Sequence, residues 1–348
     1  MIKVGSGGFV RLVEVMGSDS TIVQSARVSY GQDIRTYDDI DLDELLKIQE
    51  KVGTTDKEVV WEEFVRVRSM NDRKLIRYLM RHRHTTPFEM VEVRLLVRVP
   101  MDCWRQWIRH RTANVNEYST RYKPAIDEKA TTKEWRSQAT NNKQGSDGLI
   151  DELPEGWVHR RLGDSGWVFV TPKGRYIPSS QDETFSQYLT RREAELHKIS
   201  DEIYQERLDS GVAKEQARKD LPLSTYTESY WKCDLHNLFH FLSLRMDSHA
   251  QLEIRQFANA IAQLIAPEFP DAWEAFEDYR LNGQFLTGPV TELIEWLFQK
   301  VDAFGSSLEL VDQGIQELSL KDLEAGRERQ DALRSIDRLL GTNFTGEV

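Results

Sequence analysis

The sequence predicts an α+β fold: a mixed β-sheet flanked by helices, built as one principal domain with an insertion and a helical C-terminal extension. Three observations predict it. Residues 8–16 (GFVRLVEVM) alternate apolar and polar side chains as a half-buried strand does, and 91–99 (VEVRLLVRV) also read as a strand. Residues 72–83, 182–210, 234–246 and 249–265 instead read as helices with apolar side chains at helical spacing. The 348 residues, 39% hydrophobic and 30% charged, suffice for one large soluble domain or two ordinary ones.

Composition narrows the function classes. No run of about 18 apolar residues occurs, so no membrane span is expected. The opening MIKVGSGGFVRLVEV has neither a sustained apolar stretch nor a small-residue cleavage site, so a cytoplasmic location is expected. Two cysteines, Cys103 and Cys233, suggest no disulfide framework. A net charge of −11 argues against a broad nucleic-acid surface. Against that background Arg105, Arg109, Arg111 and Arg121 cluster, with Arg81 and Arg83 upstream. Their interleaving with Trp104, Trp107, Tyr118 and Tyr122 favours a local anion site over a solvated charged face.

The elements follow in order. Residues 17–20 (GSDS) form a turn and an N-cap for a short helix reaching Ala26. The 72–83 helix, with Leu75, Ile76, Leu79 and Met80 at helical spacing, should stop before Pro87, which disfavours helix in the preceding residue. Pro100 can open a helix at its first turn, running to about Ile108 and feeding a loop over 110–122. Residues 124–181, polar and without helical periodicity, read as a surface insertion. Within them GWVHRRLGDSGWVFVTPKGRY reads as a hairpin turning at Gly163-Asp164. The long 182–210 helix ends at Gly211, a suitable C′ residue, and 213–220 make a short helical turn. The principal domain spans 1–282. Residues 283–348 turn acidic and amphipathic, a helical extension that packs on the domain or joins subunits.

The densest chemistry is RHRTANVNEYSTRY, residues 109–122, where three arginines, a histidine, a carboxylate, hydroxyls and two carboxamides share 14 positions. Arginine offers a planar, permanently charged fork of donors that matches phosphate oxygens. An RHR triplet, seven residues and then a serine resemble the signature of the flavin-dependent thymidylate synthase family. The similarity continues in order through GFVRLVEVMGSD, ARVSY, KLIRYLMRHRHTTPFEM, EQARKDLPLSTYTESYW and FLSLRMDSHAQLEIRQFA. It covers most of the chain outside 124–181 and the tail.

The resemblance implies methylation of dUMP to dTMP with 5,10-methylenetetrahydrofolate as carbon donor and NADPH-reduced FAD as hydride source. It also implies a homotetramer whose active sites are shared between subunits. Arg109, His110 and Arg111 would contact FAD, with Thr86 and Glu117. Gln106, Arg109, Glu117, Tyr118, Ser119, Thr120, Arg121 and Arg218 would hold dUMP, with Ser119 and Arg121 near its phosphate. Arg245 would lie against the uracil ring as the catalytic cation. His84 and Tyr122 are candidates for folate stacking.

Residues 234–240 depart from the family pattern, with Asp234-Leu235-His236 where many relatives have Asn-x-Arg and His240 where they have Asn. Flavin contact is still expected from Asp234, His236 and His240. Leu235, Leu238, Phe239 and Leu242 form the apolar stripe of their helix, and His236 and His240 share a neighbouring face. That pair with Cys233 or Asp234 could instead hold a metal, but Asn237 stands where the zincin signature needs Glu, and no metal is expected. Cys103 as an attacking nucleophile is weighed against a core residue, and core is favoured. The non-enzymatic alternative, an Arg-rich nucleotide-binding module, explains the basic loop but not the ordered match.

Overall fold

The computed structural model describes residues 1–29, 38, 40–126, 128–139, 145–150, 152–283 and 286–304, together with 311, 312, 316, 333, 334 and 336. Tyr30 of the ARVSY segment and most of the extension after 304 lie outside the described residues. The chain divides into two compact units, Met1–Phe276 and Glu277–Val348.

In the first unit, β1 (Ile2–Val4) and β2 (Gly8–Met16) lead into α1 (Asp19–Val28). Then come α2 (Leu42–Val52), the 25-residue α3 (Lys57–Arg81) and the short α4 (Thr86–Glu89). The middle of the chain supplies β3 (Glu92–Pro100), α5 (Met101–Trp107) and β4 (Asn114–Glu117). The expected insertion contains β5 (Arg136–Gln138), β6 (Ser146–Leu149), β7 (Val158–Arg161), β8 (Trp167–Val170) and β9 (Tyr176–Ser179). After it come α6 (Phe185–Asp209), α7 (Lys214–Ala217), β10 (Tyr226–Asp234), α8 (Leu235–Arg245), α9 (Leu252–Ile265) and α10 (Pro270–Phe276). The second unit contains α11 (Gly288–Phe304), in the stretch expected to be helical.

The main sheet has the order β1-β2-β3-β10-β4. The α+β class stands, while the strand directions narrow the expected mixed sheet: every described pairing in it is antiparallel. The helical connections return the chain to the sheet running the opposite way, so no parallel pair forms. Val93, Leu95, Val97 and Val99 of β3 are buried, as are Trp231 and Cys233 of β10. Gly8 is required where α9 crosses β2, because a Cβ there would come within 2.7 Å of the Phe257 ring. Flanking charges pair along the sheet, Arg94 with Glu14 at 2.9 Å and Lys232 with Glu92.

Local chemistry explains the helix ends. Both carboxylate oxygens of Asp19 accept from the first turn of α10, from Asp271 N at 2.8 Å and Ala272 N at 3.1 Å. Thr184 and Gln187 bond reciprocally at the start of α6, and Gly211, at φ 77°, follows its end. The insertion hairpin turns over Gly163–Ser165 and gains a third strand, β9. Phe169 and Ile177 from this meander pack against Phe185 and Tyr188 of α6.

Candidate active site

The site begins where α5 ends. Trp104 and Trp107 are buried on one side of that helix, and Trp107 packs 4.8 Å from Phe241 and 5.5 Å from Trp231. This aromatic floor fixes the exit of the chain, so residues 109–112 run along its rim. They meet α8 across a cleft of about 340 Å³ lined by Arg109, His110, Arg111, Asn237, His240 and Arg245, among others. That volume is at the small end of ligand sites, which span roughly 300–1,000 Å³.

The cleft is electrostatically unusual. Arg245 Nε donates to His110 Nε2 at 3.1 Å, and its NH2 reaches the Gln106 carbonyl at 3.4 Å. Burial, the Arg245 charge and His240, whose ring lies 5.8 Å away, hold His110 down to about 4. His110 is therefore a neutral acceptor at physiological pH. Burial also lowers Arg245 from its ordinary value. Among the described residues Arg109 and Arg111 are drawn into no hydrogen bond or ion pair. Three arginines facing one cleft, none with a carboxylate partner there, make an anion site.

A second cluster lies beyond β4. Arg218 donates to Thr120 Oγ1 at 2.5 Å, Arg121 meets Glu215 at 3.5 Å, and Lys214 donates to the Tyr122 carbonyl at 3.0 Å. Tyr118 N–H donates to the Glu228 carbonyl at 2.8 Å and Thr227 Oγ1 to Glu117 at 2.7 Å, tying this segment to β10. Seven residues, 112–118, separate the clusters along the chain, four of them forming β4. The structure thus brings Arg109, His110, Arg111, His240 and Arg245 together, and separately Ser119, Thr120, Arg121 and Arg218.

Comparison with known proteins decides the family. The model of the thymidylate synthase complementing protein family matches residues 11–271. The chain belongs to this family. Curated relatives include the flavin-dependent thymidylate synthase of Thermus thermophilus, 40% identical over 286 residues that cover 82% of each chain. The Dictyostelium discoideum enzyme of that name is 40% identical over 82% of this chain and 77% of its own. Among solved structures, a UMP/dUMP methylase from Streptomyces cacaoi bound to 5-bromo-UMP superposes with a TM-score of 0.55 at 28% identity, covering 80% of this chain and 98% of that one. Its complex with 5-bromo-dUMP gives 0.52 at 30% identity.

Both clusters lie inside the matched span. Some expected site residues stand apart from the cleft. Asp234 caps α8: its two oxygens accept from Asn237 N at 2.8 Å and Asn237 Nδ2 at 2.7 Å. His236 is not in the cleft wall, whereas Asn237 is. The sequence reading missed Asn237 and Leu244, although both share the helical face of His240 at i−3 and i+4. Thr86 and His84 are exposed around α4. Arg83, at φ 60°, turns the chain so that His82 and His84 flank Tyr78, at 4.4 and 5.9 Å. Cys103 is fully buried and burial pushes its thiol up, as a core residue requires. Among the described residues no group of three or more His, Cys, Asp or Glu side chains is placed to hold a metal.

Proposed function

We propose that the chain is a flavin-dependent thymidylate synthase, converting dUMP to dTMP with 5,10-methylenetetrahydrofolate as carbon donor and NADPH as reductant of bound FAD. The observation that carries the reading is the cleft itself, where Arg109 and Arg111, without partners, flank a neutral His110 locked to Arg245. An anionic cofactor fits that donor set. The bound flavin supplies the hydride.

The chain's own residues do the rest. Arg245 would stabilise negative charge developing on the uracil ring as C5 becomes nucleophilic, without covalent attachment. Neutral His110 accepts the Arg245 Nε–H and so fixes the guanidinium plane without adding a competing charge. Ser119, Thr120, Arg121 and Arg218 would hold the nucleotide phosphate. The Arg121–Glu215 contact is long and exposed at both ends, so a phosphate can replace it. Gln106, Arg109, Glu117 and Tyr118 complete the dUMP set. For FAD we assign Arg109, His110 and Arg111, with Asn237 and His240 from α8. Thr86 and Glu117 would assist, and His236 and Asp234 would act at most through the fold of that helix. Exposed His84 and Tyr122 would stack the folate.

Aromatic side chains left exposed beside the site fit its completion by a second copy, in a homotetramer. Val115, Tyr118, Tyr122 and Tyr230 are exposed beside the site, Tyr122 by 74%. The reading places the reaction in the cytoplasm, where both buried cysteines stay reduced. It takes 1–282 as the catalytic domain, 124–181 as its insertion and 283–348 as a helical extension.

Flavin retention tests the cofactor assignment. The purified protein should show flavin absorbance, and Arg109→Ala should weaken the flavin Kd about 10- to 100-fold, the loss of one charge-assisted contact. An unchanged Kd would defeat the role given to Arg109.

A further inference from the structure

The insertion reaches the proposed nucleotide site through a run of polar contacts along a second cavity of about 610 Å³. This cavity is walled by Trp135 and Arg136 on one side and by Asp102, Gln251 and Glu253 on the other. Arg136, the first residue of β5, donates through NH2 to Glu253 Oε1 at 2.6 Å and through Nε to Ser146 at 3.0 Å. Glu253 lies in the first turn of α9, two residues after Gln251, which opens that helix in an extended conformation. The Gln251 side chain lies near the Glu253 carboxylate, whose buried Oε2 has no hydrogen-bond partner of its own. Gln251 Oε1 then accepts the side-chain N–H of Gln106 on α5.

A carboxamide has a donor end and an acceptor end, and its partner decides which way it faces. The Glu253 carboxylate favours the NH2 end of Gln251 on its side, leaving Oε1 toward Gln106. Gln106 in turn commits its NH2 to Gln251 and keeps its own oxygen as the acceptor for a ligand.

We propose that Gln251 is a positioning residue for the nucleotide: it locks the Gln106 amide with Oε1 presented to a donor of dUMP, and the insertion holds Gln251 in place through Arg136 and Glu253. The inference rests on the reading of Gln106 as a dUMP ligand. The donor is a group that uracil or deoxyribose offers, the ring N3–H or the 3′-hydroxyl. The role gives the insertion a use that its position on the surface does not suggest.

Steady-state kinetics of the full-length flavoprotein test this. Gln251→Met keeps the volume and removes the acceptor, and should raise the KM for dUMP about five- to ten-fold, the value of one neutral hydrogen bond, with kcat within about two-fold. Gln251→Glu keeps an acceptor and should restore KM at mildly alkaline pH. Arg136→Met, remote from α5, should shift KM in the same direction by less. In a Gln106→Met background, Gln251→Met should add nothing, because the effect passes through Gln106. With 2′,3′-dideoxy-UMP as competing ligand, the penalty of Gln251→Met vanishes if the 3′-hydroxyl is the donor and persists if N3–H is. A KM unchanged in Gln251→Met, or an effect fully additive with Gln106→Met, would overturn the proposal. Should Gln251→Met not fold, an unchanged dUMP Kd in Arg136→Met overturns it equally. A wild-type enzyme that binds dUMP without turning it over would strike the enzymatic reading and leave this test intact, read as Kd.

Discussion

At the scale of single residues, the contact between Arg245 and His110 organises the chemistry. A histidine beside a guanidinium gives up its proton, because the neighbouring cation and the loss of water both disfavour imidazolium. Held down to about 4, His110 is neutral in the fold but titrates near 6.5 when unfolded. Between those values the unfolded chain binds the extra proton, so stability rises with pH there. The contribution of His110 is complete above about pH 6.5 and drains away as pH falls toward 4. Melting midpoints across that window should therefore decline less steeply in His110→Gln than in the parent. Parallel declines would show that His110 is not the group responsible. The residue chemistry of 109–122 was legible in the sequence because it needs only types and order. Which arginines lack partners was not, since that depends on carboxylates brought in from elsewhere in the fold.

At the scale of elements, α8 carries three residues that the sequence reading expects at the flavin, Asp234, His236 and His240, and of these His240 lines the cleft. Its apolar stripe is visible in Leu235, Leu238, Phe239 and Leu242, and all four are buried. The face that meets the cleft, Asn237, His240 and Leu244, is polar enough to pass for a solvated side. Asp234 caps α8 by accepting from Asn237. Asp234→Ala should cost about 1 kcal/mol of stability, a typical N-cap loss, whereas Asp234→Asn should retain both stability and flavin. Flavin lost from Asp234→Asn with the melting midpoint unchanged would return Asp234 to the flavin site.

Among the strands that escaped the sequence are the two beside the site, β10 and β4. On the buried face of β10 stand Thr227 and Ser229 beside Trp231 and Cys233, and Ser229 donates to the Asn116 carbonyl at 3.2 Å. Small polar residues satisfied by a neighbouring strand erase the hydrophobic alternation. All four residues of β4 are exposed and held by backbone pairing, which leaves no periodic signal. By contrast β2 matches its expected span of 8–16, because its alternation faces a core on one side only. The periodicity places the start of α3 at residue 72, yet the helix begins at Lys57. Its first half buries only Val60 and Phe64, against Ile40 and Ile48.

At the scale of the whole molecule, the two arginine clusters lie beyond opposite ends of β4, and the proposed homotetramer would complete each site with residues from a second copy. A shared site makes a specific prediction about mixtures. Arg245→Ala and Arg218→Ala should each lose at least about 100-fold in kcat/KM, the scale of a lost transition-state or phosphate contact. Subunits of the two variants, exchanged and reassembled, should regain activity, since some hybrid sites receive an intact cluster from each copy. Mixtures as inactive as either variant alone would confine the site to one chain.

The measurement that bears most directly on the central claim is anaerobic turnover followed through flavin absorbance and dTMP together. The flavin should bleach with NADPH and recover its colour only when dUMP and 5,10-methylenetetrahydrofolate are both present, in step with dTMP. A flavin that stays oxidised, or that reoxidises without forming dTMP, would contradict the assignment of this cleft to thymidylate synthesis.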